Sequence, residues 1–212
     1  IHVIRRAALE GALRVVPGPD GPERYVALEA ALPDDCVDPD RAGVELARRY
    51  LAANGPATVD DLAAWSGLPA ATVRRSWAAI AEERNPVDGP DGTAWVLAAR
   101  AEAVAADADR PLPLRLTGGF DPLWLGYADR TLHLSAGHAP EVNRGGGMVK
   151  PLVVSDGAVI GTWASRRVRT RHVVEVDPFR RLTRPETAAV GAEVADIGRF
   201  LATSPELVLG AR

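Results

Sequence analysis

Four arginines and a histidine stand within seven residues of each other in the later part of the chain: Arg166, Arg167, Arg169, Arg171 and His172. So many cationic side chains in a short segment need an anionic counter-group, and the phosphates of nucleic acid supply one. We therefore predict that this segment contacts DNA, and that each neutralised phosphate steepens the dependence of binding on salt. The alternative is a solvated loop whose charges only keep the protein soluble.

A glycine-rich segment with basic neighbours is the second candidate. Three consecutive glycines, at 145–147, follow Arg144 and precede Lys150. Glycine lets a backbone approach a phosphate or a DNA groove closely, because it carries no Cβ. The spacing is not that of a P-loop or a dinucleotide-binding motif. We predict either a hairpin tip that touches DNA through Arg144 and Lys150, or a plain turn.

The charge of the chain is uneven along its length. The formal net charge is -3 and the isoelectric point is about 5.8, which argues against indiscriminate binding of nucleic acid. Residues 110–184, however, hold twelve basic and six acidic residues. Folding can gather these charges into one face that attracts phosphate.

Residues that could carry a reaction or hold a cofactor are scarce. Cys36 is the only cysteine, so an internal disulfide and a thiolate metal site are both excluded. His133 and His138 have too few neighbouring ligands for a metal. The chain shows no Gly-x-Ser-x-Gly motif and no supported triad spacing. We therefore assign no catalytic residue, no metal site and no cofactor.

The first half of the chain shows helical periodicity interrupted by short hairpins. The pattern predicts a helix over 2–13, which carries Arg5 and Arg6, and then a hairpin around a turn rich in proline and glycine. A longer series follows, with three helices and a second hairpin at 40–54, 59–65, 70–83, 85–87 and 93–97. This order predicts two winged helices in series, of which the first is truncated.

The spacing within the second series is that of a helix-turn-helix. Ala63 suits the crossing of two helices, Gly67 suits a left-handed turn, and Val73 supplies a branched apolar residue in the following helix. That following helix would present Arg74 and Arg75 to the major groove of DNA. A solvated arginine pair is the alternative, and the same two interpretations apply to Arg5 and Arg6.

The pattern changes from helices to strands after an acidic, alanine-rich connector. Six short strands are predicted, and they favour a small β-barrel-like domain: 114–116, 124–127, 131–134, 149–154, 158–163 and 172–176. Asp156 and Gly157 form a strong two-residue hairpin signal. Thr183 and Pro185 can begin one last helix, which would pack on the barrel.

The expected fold is therefore α+β, in four parts. The first part is the C-terminal half of a winged helix, the second a complete winged helix-turn-helix, the third a connector, and the fourth a basic β-barrel-like domain with a C-terminal helix. Their bounds are 1–38, 39–100, 101–113 and 114–212. No stretch approaches the roughly 20 apolar residues that span a bilayer, so we expect a cytoplasmic protein that does not bind membranes.

Read in order, these segments resemble the AlkZ/YcaQ-like family of bacterial winged-helix DNA-binding proteins, whose members include DNA glycosylases. The resemblance is carried by GFDPLWLGYADR at 119–130, by VNRGGG at 142–147 and by VVSDGAVIGTW at 153–163. It extends over residues 1–202 and corresponds to the later half of a family protein. The chain begins at Ile1 and its only methionine is Met148, so we expect further residues upstream.

The resemblance implies excision of alkylated purines from double-stranded DNA, in repair of alkylation or cross-links. In the glycosylases of the family this reaction depends on a Gln-x-Gln or Gln-x-Asp motif near the start of the protein. The present chain contains no glutamine, so no residue matches that motif. A DNA-binding protein or transcriptional regulator without a reaction is the alternative, and a protein-interaction module is a third interpretation.

Overall fold

The computed structural model describes residues 2–18, 23–28, 38–89, 92–143 and 145–210. They form a mixed α+β fold with eight α-helices and nine strands among the described residues. Contacts between residues divide the chain into two compact units, residues 1–42 and residues 43–212. The finer division that the sequence predicts at residues 38, 100 and 113 stays a prediction.

The first unit contains one short helix and one hairpin. Helix α1 spans His2–Leu9, and strands β1 (Leu13–Val16) and β2 (Arg24–Ala27) pair antiparallel. The helix is shorter than the predicted 2–13, because Gly11 adopts a left-handed φ of 78° and turns the chain into β1. Arg5 and Arg6 are exposed on α1, where Arg6 forms an ion pair with Glu10.

Three helices and a hairpin follow close to the predicted positions, and the second unit begins within the first of these helices. A short 3₁₀ turn, Ala81–Glu83, separates the third helix from the hairpin, so this helix is shorter than the predicted 70–83. The elements are α2 (Pro39–Asn54), α3 (Val59–Ser66), α4 (Ala70–Ala79), β3 (Arg84–Gly89) and β4 (Gly92–Leu97).

Local capping chemistry sets the ends of these helices. At the start of α2 the carboxylate of Asp38 accepts hydrogen bonds from two backbone N–H groups and caps the helix. Thr58 caps α3 in a reciprocal capping box with Asp61. Gly67 ends α3 in the left-handed conformation, with φ of 65° and its N–H donated to Ala63.

One apolar core joins the three helices to β4. Its centre lies between Tyr50, Leu51, Leu62 and Trp77, all of them buried. The guanidinium of Arg84 lies over the rings of Trp77 and Trp95, 4.9 and 4.2 Å from their centroids. These aromatic faces stabilise a cation whose pKa is lowered by burial.

The rest of the second unit is built around a five-stranded sheet. A connecting helix, α5 (Ala98–Asp107), leads into it from β4. The order across the sheet is β5 (Arg115–Thr117), β6 (Leu152–Ser155), β7 (Ala158–Val168), β8 (Arg171–Pro178) and β9 (Glu206–Leu209). The three strand pairs from β5 to β8 are antiparallel, and β9 pairs parallel with β8 after the long helix α8 (Arg184–Leu201).

Each face of this sheet is covered, so the sheet is the middle of three layers. Helix α8 packs its Val190 and Val194 on one face against Val174 and Val176. The other face packs against the irregular segment between β5 and β6, which includes the short helices α6 (Pro122–Leu125) and α7 (Ala139–Val142). Alternation along β7 sends Val159 to one core and Ile160 to the other, and a β-bulge interrupts the pairing of β6 with β7 at Val153 and Val154.

Two expectations for this part of the chain are wrong in detail. The sheet is open: among the described residues, β5 and β9 are its two edges and no pairing joins them into a barrel. The predicted strands at 124–127 and 131–134 are a short helix and a series of turns. Asp121 caps the N-terminus of α6 and Pro122 occupies its first turn, which starts a helix in an apolar run that also fits a strand.

Two hydrogen bonds, one buried and one partly buried, join the helical part of the second unit to the segment after α6. The Tyr50 hydroxyl donates to the Gly126 carbonyl at 2.6 Å, and the Tyr127 hydroxyl donates to the Asn54 carbonyl at 2.8 Å. Burial is the first cause that raises the pKa of both tyrosines. Both phenols are therefore held as neutral donors.

We expect Tyr50→Phe to lower the free energy of unfolding by about 1.5 kcal/mol, because the buried Gly126 carbonyl loses its hydrogen-bond donor. Urea unfolding followed by circular dichroism measures the change. Tyr25→Phe is the control, since the described residues offer its hydroxyl no hydrogen bond, and its stability should not change. Equal stabilities of the two variants would contradict the role given to Tyr50.

Across the described segments, no helix combines the length and the apolar character that crossing a lipid bilayer requires.

Candidate nucleic-acid interface

The central strands of the sheet are longer than their neighbours. β6 pairs with β7 only up to Thr162, and β9 pairs with β8 only from Val173 onwards. Residues 164–172 therefore extend past the end of β6, and among the described residues only the outermost pairs, Arg167 with His172 and Val168 with Arg171, have no flanking strand on either side. We call residues 164–172 the basic ribbon, because they contain Arg166, Arg167, Arg169 and Arg171. The sequence had left open whether this segment is a strand or a loop.

Lys150 lies at the same end of the sheet as the basic ribbon. The backbone N–H of Trp163 donates to the Pro151 carbonyl at 3.1 Å, so the residue before Pro151 lies beside the first residues of the ribbon. Neighbouring strands are about 4.8 Å apart. The fold thus brings together Lys150 and the four ribbon arginines, which are separated by up to 21 positions in the sequence.

Two of the four ribbon arginines are paired with carboxylates. Arg166 forms an ion pair with Glu175, and Arg171 Nη1 lies 3.1 Å from Glu206 Oε2. The contact raises the pKa of Arg166 and lowers the pKa of Glu175. Both pairs are exposed to solvent, and exposed pairs contribute little to stability. Their arginines can therefore exchange a carboxylate for a phosphate at small cost.

Arg167 and Arg169 carry the free positive charge of the ribbon. Within the described part of the chain, neither guanidinium has a carboxylate within ion-pair distance, and both side chains are exposed. A β-ribbon that carries unneutralised guanidinium groups can bind phosphates, and a two-stranded ribbon also fits the major groove of B-DNA.

The tip of the ribbon holds Arg169 in a strained backbone conformation. Its φ is 57°, in the left-handed region that glycine and not arginine favours. Val168 and Arg171 pair on either side, so the turn consists of Arg169 and Thr170. Strain of this kind is common where a side chain serves binding and not stability.

Arg169→Gly is expected to stabilise the protein by about 1 kcal/mol, because glycine adopts this φ without steric cost. The same change is expected to weaken duplex binding, since it removes a cation from the tip. Thermal unfolding and fluorescence anisotropy measure the two effects. Thr170→Gly is the matched control, and it should not stabilise, because Thr170 does not have a positive φ. A stabilised variant with unchanged DNA affinity would remove Arg169 from the interface.

A small cavity lies under the ribbon. Its volume is about 270 Å³, and it is lined by Ser165, Arg166, Arg167, His172, Leu201 and Thr203. His172 pairs with Arg167 across the two strands and is buried. Its Nε2 lies 2.5 Å from Ser165 Oγ, and its Nδ1 lies 3.1 Å from Thr203 Oγ1.

The remaining candidates from the sequence lie elsewhere. Arg5 and Arg6 belong to the first unit. Arg74 and Arg75 are exposed on α4, which packs in the helical core and not on the sheet. Arg144 lies outside the described residues. The structure therefore joins five of the ten predicted DNA-binding residues, and all ten assignments stay predictions.

A larger cleft of about 480 Å³ has the opposite character. It lies between the N-terminus of α3, the tip of the β3–β4 hairpin and residues 127–133. Its lining includes Asp60, Asp61, Asp88 and Asp129. Carboxylates repel phosphate, so this cleft is unsuited to contact with a DNA backbone.

His133 and His138, the two candidate metal ligands of the sequence, make ordinary structural contacts. His133 Nδ1 lies 3.0 Å from the Gly157 carbonyl, and His138 Nδ1 lies 2.8 Å from Glu141. His138 also stacks on Phe179, with 4.4 Å between ring centroids. In the parts of the chain that the structure describes, no three potential ligands come together to hold a metal ion.

Comparison with known proteins identifies the family. The family model described as DNA glycosylase AlkZ-like matches residues 1–200. The chain belongs to the AlkZ-like DNA glycosylase family. This AlkZ-like chain is 33% identical over 166 residues to the "Interstrand DNA cross-link repair glycosylase" of Streptomyces sahachiroi, an alignment that covers 76% of the chain and 43% of that protein.

A solved structure agrees with this assignment. The AlkZ-like chain superposes on "Streptomyces sahachiroi DNA glycosylase AlkZ" with a TM-score of 0.79 and 29% identity. The superposition covers 98% of the chain and 56% of the solved protein. The chain thus corresponds to about half the length of the relatives that it matches.

Sequence reasoning missed the residues under the ribbon. Ser165 and Thr203 are not among the predicted site residues, because a single serine or threonine in a sequence does not indicate a binding site. Thr203 reaches His172 only because α8 carries the chain back to the edge of β8. Ser165 and Arg167 are two positions apart, so they share one face of β7. That spacing is the signal that could have indicated a cavity lined by both residues.

Proposed function

We propose that this chain is the DNA-binding part of an AlkZ-like glycosylase that acts in the repair of cross-linked or alkylated DNA. The single observation that carries the proposal is the convergence of Lys150 and the ribbon arginines at one end of the sheet. Membership of the family supports it, and the name of the Streptomyces sahachiroi relative gives interstrand cross-links as the class of lesion. Double-stranded DNA is the proposed partner.

The basic ribbon is the proposed main contact with the duplex. Two of its guanidinium groups are free of carboxylates in the described part of the chain, and the other two are held only by exposed ion pairs. Contacts to phosphate position a protein on DNA without reading its sequence. Such contacts suit a repair protein, which must act wherever a lesion occurs.

The helical part is proposed to be a winged helix-turn-helix that supplies a second contact. The order of α2, α3, α4 and the β3–β4 hairpin supports this, as does the left-handed turn at Gly67. Arg74 is exposed on α4, the helix that would face a groove. The hairpin tip borders the acidic cleft, so the proposal gives the contact to α4 and not to the wing.

A salt titration of duplex binding tests the DNA-binding proposal. Anisotropy of a fluorescent duplex is measured with the 212-residue chain at several potassium chloride concentrations. If the four ribbon arginines and Lys150 all contact phosphates, the logarithm of the association constant falls against the logarithm of salt with a slope between about −3 and −5. No binding, or binding without dependence on salt, would overturn the proposal.

A second candidate is a DNA-binding protein or transcriptional regulator without glycosylase activity, because the chain corresponds to about half the length of its relatives and supplies no assignable catalytic residue. The described residues offer no pair of groups with a clear role in cleaving a glycosidic bond. Release of damaged bases from cross-linked and alkylated duplexes by the whole gene product separates the two candidates. Base release supports the glycosylase, and tight binding without base release supports the regulator.

A further inference from the structure

We propose that the cavity under the basic ribbon is a binding site for a single phosphate group. It is the cavity of about 270 Å³ lined by Ser165, Arg166, Arg167, His172, Leu201 and Thr203. A phosphate there would bind in a cavity whose Ser165 and His172 are held by the pairing of β7 with β8. The inference deepens the proposed function, and the assignment of the phosphate to DNA rests on it.

The hydrogen bonds of His172 leave at least one hydroxyl proton for a ligand. Its two ring nitrogens face Ser165 Oγ and Thr203 Oγ1 at 2.5 and 3.1 Å. A neutral ring donates to one hydroxyl and accepts from the other. The hydroxyl that accepts from the ring keeps its own proton, and a protonated ring would leave both hydroxyl protons unused. Both hydroxyl-bearing residues line the cavity, so an acceptor ligand suits it.

The charges around the cavity select an anion. Arg166 and Arg167 are the charged residues of the lining, and no carboxylate is part of it. Glu175 pairs with Arg166 and Glu206 pairs with Arg171, so these carboxylates leave Arg167 without a counter-charge in the described part of the chain. Leu201 is the apolar residue of the lining.

Phosphate fits this combination of groups better than a carboxylate does. A guanidinium donates two parallel hydrogen bonds to oxygens of one phosphate, and the hydroxyls can bind further oxygens of the same tetrahedral group. The phosphate could come from the backbone within a strand or from the terminal phosphate of a strand end. Both sources present the same chemistry to the cavity.

Inorganic phosphate is the probe for the site itself. The ring signals of His172 in the 212-residue chain are followed by nuclear magnetic resonance during a phosphate titration at constant ionic strength, with chloride as the reference. We expect saturable shifts at His172. Arg167→Gln should weaken phosphate binding about tenfold, and Ser165→Ala and Thr203→Val should each weaken it about fivefold. Arg100→Gln, an exposed residue of α5, is the matched control and should bind phosphate normally.

Each outcome decides for or against the site. Shifts no larger than those caused by chloride, or wild-type affinity in all three cavity variants, would overturn the inference. Because Ser165 is exposed on the ribbon, Ser165→Ala keeps the test valid even if Thr203→Val does not fold. The resonance spectrum of each variant shows whether it is folded.

Two duplexes distinguish the source of the phosphate and separate this inference from the proposed function. A blunt duplex with a 5′-phosphate is compared with the same duplex without it. If the phosphorylated duplex binds better, and Thr203→Val removes the difference, the cavity binds a terminal phosphate. Equal binding of both duplexes, weakened in Thr203→Val, indicates a backbone phosphate. Duplex binding that none of the cavity variants affects would overturn the inference while the proposed function stands. Binding of inorganic phosphate without any duplex binding would overturn the proposed function while the phosphate site stands.

Discussion

Replacement of Arg166, Arg167, Arg169 and Arg171 by glutamine in one variant is expected to weaken duplex binding about 100-fold near physiological salt, because four phosphate contacts are lost. The slope of the logarithm of the association constant against the logarithm of salt should become flatter by up to about 3.5. Each lost phosphate contact means that about one counterion fewer is released on binding. Anisotropy of a fluorescent duplex at several salt concentrations gives both numbers. The change should leave the fold intact, because these four side chains are exposed.

Two comparisons make this result specific to the ribbon. Arg100→Gln with Arg110→Gln removes two exposed arginines on and after α5, and it should leave the slope nearly unchanged. Arg167→Gln with Arg169→Gln removes the same charge from the ribbon and should flatten the slope by about 2. An equal loss of affinity in these two double variants would mean that net charge alone attracts DNA, and that the ribbon has no special role.

Glu186→Gln is expected to destabilise the protein by about 2 kcal/mol at neutral pH. The Glu186 carboxylate accepts hydrogen bonds from Arg180 at 2.6 and 2.9 Å and closes the capping box of α8 with Thr183. Chiefly through the Arg180 contact, its pKa falls from the ordinary value of 4.5 to about 2. The expected loss is smaller than this shift alone implies, because Arg180 is half exposed and water screens the pair.

The stability that Glu186 contributes should depend on pH in a defined direction. A carboxylate with a lowered pKa stabilises the fold above its unfolded-state pKa and loses that contribution as the pH falls through the folded-state value. The difference between wild type and Glu186→Gln should therefore be complete above pH 4.5 and vanish towards pH 2. Urea unfolding at several pH values measures it, and Glu102→Gln, on exposed α5, is the control. A difference that does not change between pH 7 and pH 2 would contradict this account of Glu186.

Elements with local start and stop signals could be predicted from the sequence. Helix α3, the left-handed turn at Gly67, the Asp156-Gly157 hairpin and the start of α8 at Thr183 and Pro185 all occur in the structure as predicted. In each of these the residues that determine the conformation are neighbours in sequence. Local chemistry was sufficient because no distant part of the chain competes with it.

Elements that depend on distant partners could not be predicted in this way. The apolar run around Trp124 has no clear period, and only the Asp121 cap and Pro122 make it helical. Strand β9 is four residues long and exists because β8 offers its edge after α8 has crossed the sheet. The prediction of a barrel depends on six strands, and two of the predicted strands do not form. Among the described residues the five strands that do form make an open sheet.

The candidate site shows the same division. The ribbon arginines were visible as a cluster in the sequence, and Lys150 was visible beside its glycines. Their common location at one end of the sheet follows from the pairing of β6 with β7, which the sequence only suggested through the intervening turn. The cavity depends on the contact of His172 with Thr203, which are 31 positions apart in the sequence, and no short pattern predicts that contact.

The most direct test of the account is hydrogen exchange of backbone amides with and without duplex DNA, read by mass spectrometry. Because the basic ribbon is the main contact in this account, we expect slower exchange in residues 164–172 and around Lys150 when DNA is bound. Helix α4 should show a smaller effect. Slower exchange confined to α4 and the β3–β4 hairpin, with the ribbon unchanged, would show that DNA binds to the helical part alone and would contradict the account.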